Sequence, residues 1–378
     1  MPDAEDLLIR RDGGVGLITL NRPAAINAIT LPMVRAMSDA LLAWRDDDAV
    51  RAVVLDGAGE RGLCAGGDIV AVYRSLVEGT PDAEEYWRAE YELVELIAGY
   101  PKPYIPLMDG LVLGGGVGVA SHGSLRIVTP RSRVGLTQLN IGFVPDIGGS
   151  WLAARAPGQL GAFAALTAAQ LGPEDAILCG LADLCVSVES LPELVADIVR
   201  AVAEQTRSDG APPVDSAPPV GTAPPADGAP AAPGPGGPEA LGAPGIADAL
   251  GARLLEAARL HAVPADPGML NRGRHWIDIA FAHDDPRAII ADLLGRDEPD
   301  ARAAGARLGA LSPSALREAL ALIRGAASRS LPDAIAAELA AALRAAHGPD
   351  LREGIRAQVI DKDRAPRWAE SGHQPPSA

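Results

Sequence analysis

Short apolar runs broken by turn residues open this chain, and their spacing predicts strands. Leu7 to Arg10 and Val15 to Leu20 read as two strands joined by the turn Asp12-Gly13-Gly14. The apolar spacing then lengthens, and Thr30 to Arg45 fits an amphipathic helix with Thr30 as its N-cap. Ala52-Val53-Val54-Leu55-Asp56 reads as a buried strand that runs into a loop from Gly57 to Gly67, and a polar helical stretch follows from about Asp82 to Ala98. Tyr104 to Met108 is the next buried strand, closed by the turn Asp109-Gly110, and Leu125 to Val128 is another. Strands that alternate with helices imply βαβ units, so an α/β domain is expected here.

Beyond Leu160 the period is helical: Leu160 to Thr167, Pro173 to Cys179 and Leu191 to Glu204. From Thr206 to Gly245 the chain turns to Pro, Ala and Gly, with Ala-Pro-Pro recurring at Ala211, Ala217 and Ala223. Such a segment buries too little apolar surface to offset the entropy of ordering it, and a flexible surface insertion is expected. Helical sequence resumes near Ile246 and runs to Ala346, with Ser312-Pro313 fitting a helix start. The expected division is an α/β core at 1–205, a disordered Pro/Ala/Gly-rich insertion at 206–245, a helical C-terminal region at 246–368 and a disordered tail at 369–378.

Composition then narrows the class. Hydrophobic residues make up 48% of 378, enough for a full core, whereas aromatics are only 3%, which leaves Ala, Leu, Val and Ile to build it. A net charge of -16 argues against nucleic acid and anionic membrane as partners, and an anionic ligand would need a local basic cluster. Cys64, Cys179 and Cys185 show neither metal-ligand spacing nor an even disulfide set, which fits a reduced, cytoplasmic protein. The acidic stretch Met1 to Asp6 lacks a signal-peptide pattern, and no apolar run is long enough for a membrane span.

Candidate chemistry concentrates between Tyr104 and Gly149. The cluster Leu113-Gly114-Gly115-Gly116-Val117-Gly118 follows a strand and opens a helix. Adjacent glycines admit a ligand close to the backbone and aim free N–H groups at one spot, where a carbonyl oxygen gaining negative charge would be stabilised. Leu63-Cys64-Ala65-Gly66-Gly67-Asp68 is a second such loop. Neither matches the P-loop or the dinucleotide spacing, which disfavours a nucleotide-binding Rossmann domain. Asp146 sits in the tight run Phe143-Val144-Pro145-Asp146-Ile147-Gly148-Gly149. It reads equally as a general base that holds water and as an N-cap for a helix beginning near Ser150.

In this order the motifs resemble a known family. Gly16-Leu17-Ile18-Thr19-Leu20-Asn21-Arg22-Pro23, Cys64-Ala65-Gly66-Gly67-Asp68 and Gly114-Gly115-Gly116 resemble the crotonase (enoyl-CoA hydratase/isomerase) superfamily. Gly114 to Gly118, Phe143 to Gly149, Leu311-Ser312-Pro313-Ser314 and the stretch from Glu353 through Asp361-Lys362-Asp363 to Trp368 resemble its 3-hydroxyisobutyryl-CoA hydrolase subgroup. The match spans nearly all of the chain except the Pro-rich insertion and the tail. The resemblance implies a crotonase-like ββα superhelix core, an acyl-CoA substrate that itself carries the coenzyme A, no separate cofactor and no metal. It implies an oxyanion hole from the backbone N–H groups of Gly67 and Gly115, with Gly66, Asp68, Gly114 and Gly116 beside the substrate. It also implies Glu90 as a substrate contact, and Asp146 with Gln138 at the catalytic position. Read from the residues alone, Glu90 belongs to a solvated helix face.

Three departures refine this expectation. Hydratases of the superfamily carry a glutamate two residues beyond the glycine triplet, where this chain has Gly118, so water addition by two glutamates is not expected. The subgroup's catalytic glutamate falls at Gln138, and an amide cannot serve as a carboxylate base or nucleophile. Asp146 would then activate water with Gln138 orienting it. Ala24 stands where the family often has a basic residue. The leading expectation is hydrolysis of 3-hydroxyisobutyryl-CoA or a similar short 3-hydroxyacyl-CoA, in valine breakdown. The alternatives are another crotonase-type reaction (hydration, isomerisation or decarboxylation) and a catalytically weak acyl-CoA-binding protein. The family commonly forms trimers or hexamers, so a homo-oligomer stays open.

Overall fold

A computed structural model describes residues 6–209 and 248–370. The expected insertion lies outside the described residues except at its start, where the helix Leu191–Ser208 continues past Thr206. The expected tail lies outside them from residue 371; before that, the amide of Ala369 donates to Asp350 Oδ1 at 2.8 Å.

The α/β core is built on a six-stranded sheet and a two-stranded one. The strands are β1 (Leu7–Asp12), β2 (Val15–Leu20), β3 (Ala52–Gly57), β4 (Tyr104–Met108), β5 (Leu111–Leu113), β6 (Ile127–Val128), β7 (Arg133–Gly135) and β8 (Leu184–Cys185). The larger sheet runs β1-β2-β3-β4-β6-β8. β1 and β2 form an antiparallel hairpin, and every later pair is parallel. Period-2 alternation sends Leu17, Val54 and Ile105 to one face, where Leu194, Ile198, Leu250 and Leu254 of the helices Leu191–Ser208 and Ala249–Arg259 cover them. Ile18, Leu20, Val53 and Leu55 join the main core with Met33, Met37, Leu41 and Trp44 of α1 (Leu31–Arg45). Thr30 caps α1 as its sequence predicts, accepting from the amide of Met33 at 3.4 Å.

The smaller sheet brings the two glycine loops together. β5 and β7 are parallel, and the segment around Cys64 adds itself alongside β5. Cys64 donates its amide to Leu111 O at 3.0 Å, and the amide of Leu113 donates to Cys64 O at 2.9 Å. Both segments run in the same direction, so the loop at 65–68 and the loop at 114–116 leave the sheet side by side. The first leads into α2 (Ile69–Glu78) and the second into α4 (Gly115–Ser121); α3 (Asp82–Ala98) lies between them in sequence. The approach is too close for a side chain at Gly116, where a Cβ would stand 2.6 Å from Cys64 O.

The C-terminal region is helical as expected. Its last long helix, Leu331–His347, packs against α3 and against α5 (Gly149–Arg155). It therefore reaches the same part of the molecule as the glycine loops. Among the described residues, no helix is long and apolar enough to cross a membrane.

Candidate active site

The two glycine loops are held by most of their amides and leave an amide in each unused among the described residues. Around Gly67 the chain is pinned: Ala65 donates to Ile26 O, Ile29 donates to Gly66 O, and Asp68 donates to Ile29 O, each at 2.9 Å. Gly114 donates to Gly135 O at 3.0 Å. Among the described residues, the N–H groups of Gly67 and Gly115 have no acceptor. They face one space, since a Cβ built on Gly115 would lie 3.2 Å from the nitrogen of Gly67. That same Cβ would collide with Glu90 Oε1, and one on Gly67 would collide with the Tyr86 hydroxyl. A side chain at either position would have to displace Glu90 or Tyr86, and two unused donors converge there.

The helix α3 forms the opposite wall. Residues four apart share a helix face, so Tyr86 and Glu90 lie one above the other, and Tyr86 donates to Glu90 Oε1 at 2.8 Å. Glu90 is 3% exposed, so the solvated-face reading drawn from the residues alone is corrected. Burial first, and then the negative charge of Asp146, raise its pKa to about 8, against the lowering effect of the Tyr86 hydrogen bond.

Asp146 is the second buried acid of the site. Gln138, at the start of the 3₁₀ turn Gln138–Ile141, donates its Nε2 to Asp146 Oδ1 at 2.8 Å, and Tyr91 donates its hydroxyl to Oδ2 at 2.9 Å. Burial lifts the Asp146 pKa to about 6, and these two donors hold it from rising further. The Asp146 loop is also stacked onto α3 through Phe143 and Trp87, whose ring centroids lie 5.4 Å apart. The N-cap alternative for Asp146 is excluded, because the N-cap of α5 is Gly148 and the Asp146 carboxylate faces Gln138 and Tyr91 instead. Gln138 Oε1 is buried and has no hydrogen-bond partner among the described residues.

The remaining sequence candidates divide. Gly66, with φ +110°, and Gly114, with φ +51°, adopt backbone conformations that favour glycine and so shape the two loops. Asp68 turns away into the fold: its Oδ1 accepts from the amide of Ala71 at 3.2 Å as the N-cap of α2, and its Oδ2 pairs with Arg22 at 3.1 Å. The carboxylate expected beside the substrate is thus engaged in capping, a correction with a local cause. Gly118 has no room for a glutamate, since its Cβ would stand 2.8 Å from Ile147 Cβ. Sequence reasoning missed Tyr86 and Tyr91, although the four-residue spacings Tyr86/Glu90 and Trp87/Tyr91 mark one α3 face. It also missed Glu338, an acid on the apolar stripe Ala334, Ile335, Ala341, Ala342 of an Ala-rich helix.

Two glycine loops that bring the amides of Gly67 and Gly115 together beside the buried Glu90 fit a site that stabilises an oxyanion, and comparison with known proteins gives the family. The model of the enoyl-CoA hydratase/isomerase family matches residues 15–216 and 245–374, and the chain belongs to that family. Within it, the chain is similar to the mitochondrial 3-hydroxyisobutyryl-CoA hydrolases of Danio rerio (31% identical, 97% of this chain and 85% of that one) and Gallus gallus (29%, 97% and 84%). Among solved structures it resembles a carnitinyl-CoA dehydratase from Mycobacterium thermoresistibile, with 38% identity, a TM-score of 0.80, and coverage of 96% of this chain and 91% of that one. An enoyl-CoA hydratase from Rhodobacter sphaeroides 2.4.1 is similar at 34% identity and a TM-score of 0.78, with coverage of 96% and 92%.

Proposed function

We propose that this chain hydrolyses 3-hydroxyisobutyryl-CoA or a similar short 3-hydroxyacyl-CoA thioester. The observation that carries the reading is the pair of unpartnered amides at Gly67 and Gly115 beside a buried Asp146 that two donors orient. The thioester carbonyl oxygen accepts from both amides. Each such donor contributes roughly 3–4 kcal/mol once the oxygen turns negative. Asp146 takes a proton from water as the water oxygen bonds to the carbonyl carbon. The tetrahedral intermediate then expels the sulfur, the C–S bond breaks, and the coenzyme A thiolate takes up the proton that Asp146 received, which returns Asp146 to its ionised form. The products are a carboxylic acid and coenzyme A.

Gln138 supports this chemistry without supplying a base. Its Nε2 orients Asp146, and its unpartnered Oε1 is an acceptor for the water or for the acyl hydroxyl. Glu90, with its raised pKa, faces the acyl group in mainly protonated form at neutral pH and offers it both a donor and an acceptor. On this reading the reaction would belong to valine breakdown. The solved relatives described as hydratase and dehydratase point to water chemistry at a double bond. The Ile147 side chain fills the space that a second glutamate at Gly118 would need, which favours hydrolysis over that route.

Gln138 also supports a second reading, a catalytically weak acyl-CoA binder. Coenzyme A release from 3-hydroxyisobutyryl-CoA separates the two. Turnover by the parent, its loss in Asp146→Asn and a gain in Gln138→Glu are expected. Tight binding of the thioester with no release above the Asp146→Asn level would leave the binder as the better account.

A further inference from the structure

The loop that carries Asp146 is gripped from behind by the C-terminal region. Glu338, on the helix Leu331–His347, is fully buried. Its Oε2 accepts from the amide of Gly148 at 2.7 Å, and its Oε1 accepts from the amide of Ser150 at 2.9 Å and from the Ser150 hydroxyl. A buried carboxyl is costly unless donors surround it, and here all three donors belong to one turn.

The turn closes on itself with one hydrogen bond, from the amide of Gly149 to Asp146 O at 2.7 Å, and it carries strain that this bond must share with its surroundings. Ile147 sits at φ +59°, in the left-handed region that a β-branched residue resists, and such a conformation persists only where the surroundings over-determine it. His122, the C-cap of α4, grips the same residue: its Nε2 lies 3.0 Å from Ile147 O. Burial lowers the His122 pKa to about 4, so the ring is neutral, and because a carbonyl can only accept, Nε2 carries the proton. One grip comes from the glycine-cluster helix and the other from the C-terminal region, with Asp146 immediately before the gripped residue.

We propose that Glu338 is a positioning residue for the hydrolysis: by holding the amides of Gly148 and Ser150 it fixes the strained turn at Ile147, and thereby the place where the Asp146 carboxylate stands. It touches no substrate. The role rests on the reading of Asp146 as the group that activates water.

Glu338→Gln tests it on the full-length protein. A carboxyl oxygen keeps a lone pair for the Ser150 amide whether ionised or protonated, and an amide nitrogen has none, so the substitution preserves size and breaks one grip. The expected result is a kcat lower by about 10- to 100-fold with KM within about threefold of the parent, because the acid and not the substrate is displaced. Amide hydrogen exchange should quicken in residues 146–150 while the sheet stays protected. Ser150→Ala, which removes only the hydroxyl contact, should show the same two changes in smaller measure and serves as the test if Glu338→Gln does not fold. A folded Glu338→Gln with kcat within about twofold of the parent, or Ser150→Ala with both kcat and exchange unchanged, overturns the proposal. If Asp146→Asn keeps full turnover, the water-activation reading fails instead, and the exchange measurement still reports on the grip, since it needs no turnover.

Discussion

At the residue scale, Asp146 works within opposing influences. Burial raises its pKa to about 6, while the hydrogen bonds from Gln138 and Tyr91 favour the ionised form. Only the ionised form can take a proton from water, so kcat/KM should fall as the pH drops below about 6. Tyr91→Phe removes one donor to the carboxylate. A hydrogen bond to a charged group stabilises it by about 1.5–3 kcal/mol, so the acid limb of that profile should move up by roughly one to two pH units. A limb that stays in place, with the variant folded, would show that Tyr91 does not govern this proton. The Asp146 loop and the glycines were legible in the sequence because strained loops and close approaches demand particular residues. The placement of Glu90 was not. A polar residue lining a buried site and one facing water obey the same helical period, and only the packing of α3 against both glycine loops tells them apart.

At the element scale, helix ends explain residues that motif reading alone would assign to ligand. Asp68 caps α2 and pairs with Arg22. Asp68→Ala should therefore lower stability by about 1 kcal/mol through the lost cap, with the partly exposed ion pair adding little. KM for the thioester should change only slightly. Denaturant titration beside steady-state kinetics checks this, and a large rise in KM at unchanged stability would return Asp68 to the substrate. The strands β5, β7 and β8 escaped sequence reading because two or three residues are too few to display alternation. Their positions come from hydrogen bonding to neighbours distant in sequence, such as Leu113 to Cys64. The longer elements were readable, since α1, α3, β2 and β4 each carry enough residues to establish a period and a cap or turn.

At the scale of the whole molecule, the site leaves a mark on stability. Burial lifts Glu90 and Glu338 to about 8, well above the ordinary 4.5. As the pH rises from 6.5 toward 8, the unfolded chain has already released these protons while the folded one still holds them, so folding stability must decline. His122 acts in the opposite sense, being lowered to about 4, but its window closes at its ordinary 6.5. The melting temperature should thus be higher at pH 6.5 than at about pH 8, with a shallower slope in Glu338→Gln. A melting temperature that climbs across this interval would count against protonated acids inside the fold. The order of strands and helices, the two glycine loops and the carboxylate between a proline and two glycines follow from local spacing and conformational preference, which a single chain displays residue by residue. The convergence of Gly67 with Gly115, the burial of Glu90, the filling of the space at Gly118 by Ile147 and the reach of Glu338 into the Asp146 loop were decided by tertiary structure. Each depends on contacts between segments far apart in the chain, and no local pattern encodes a distance.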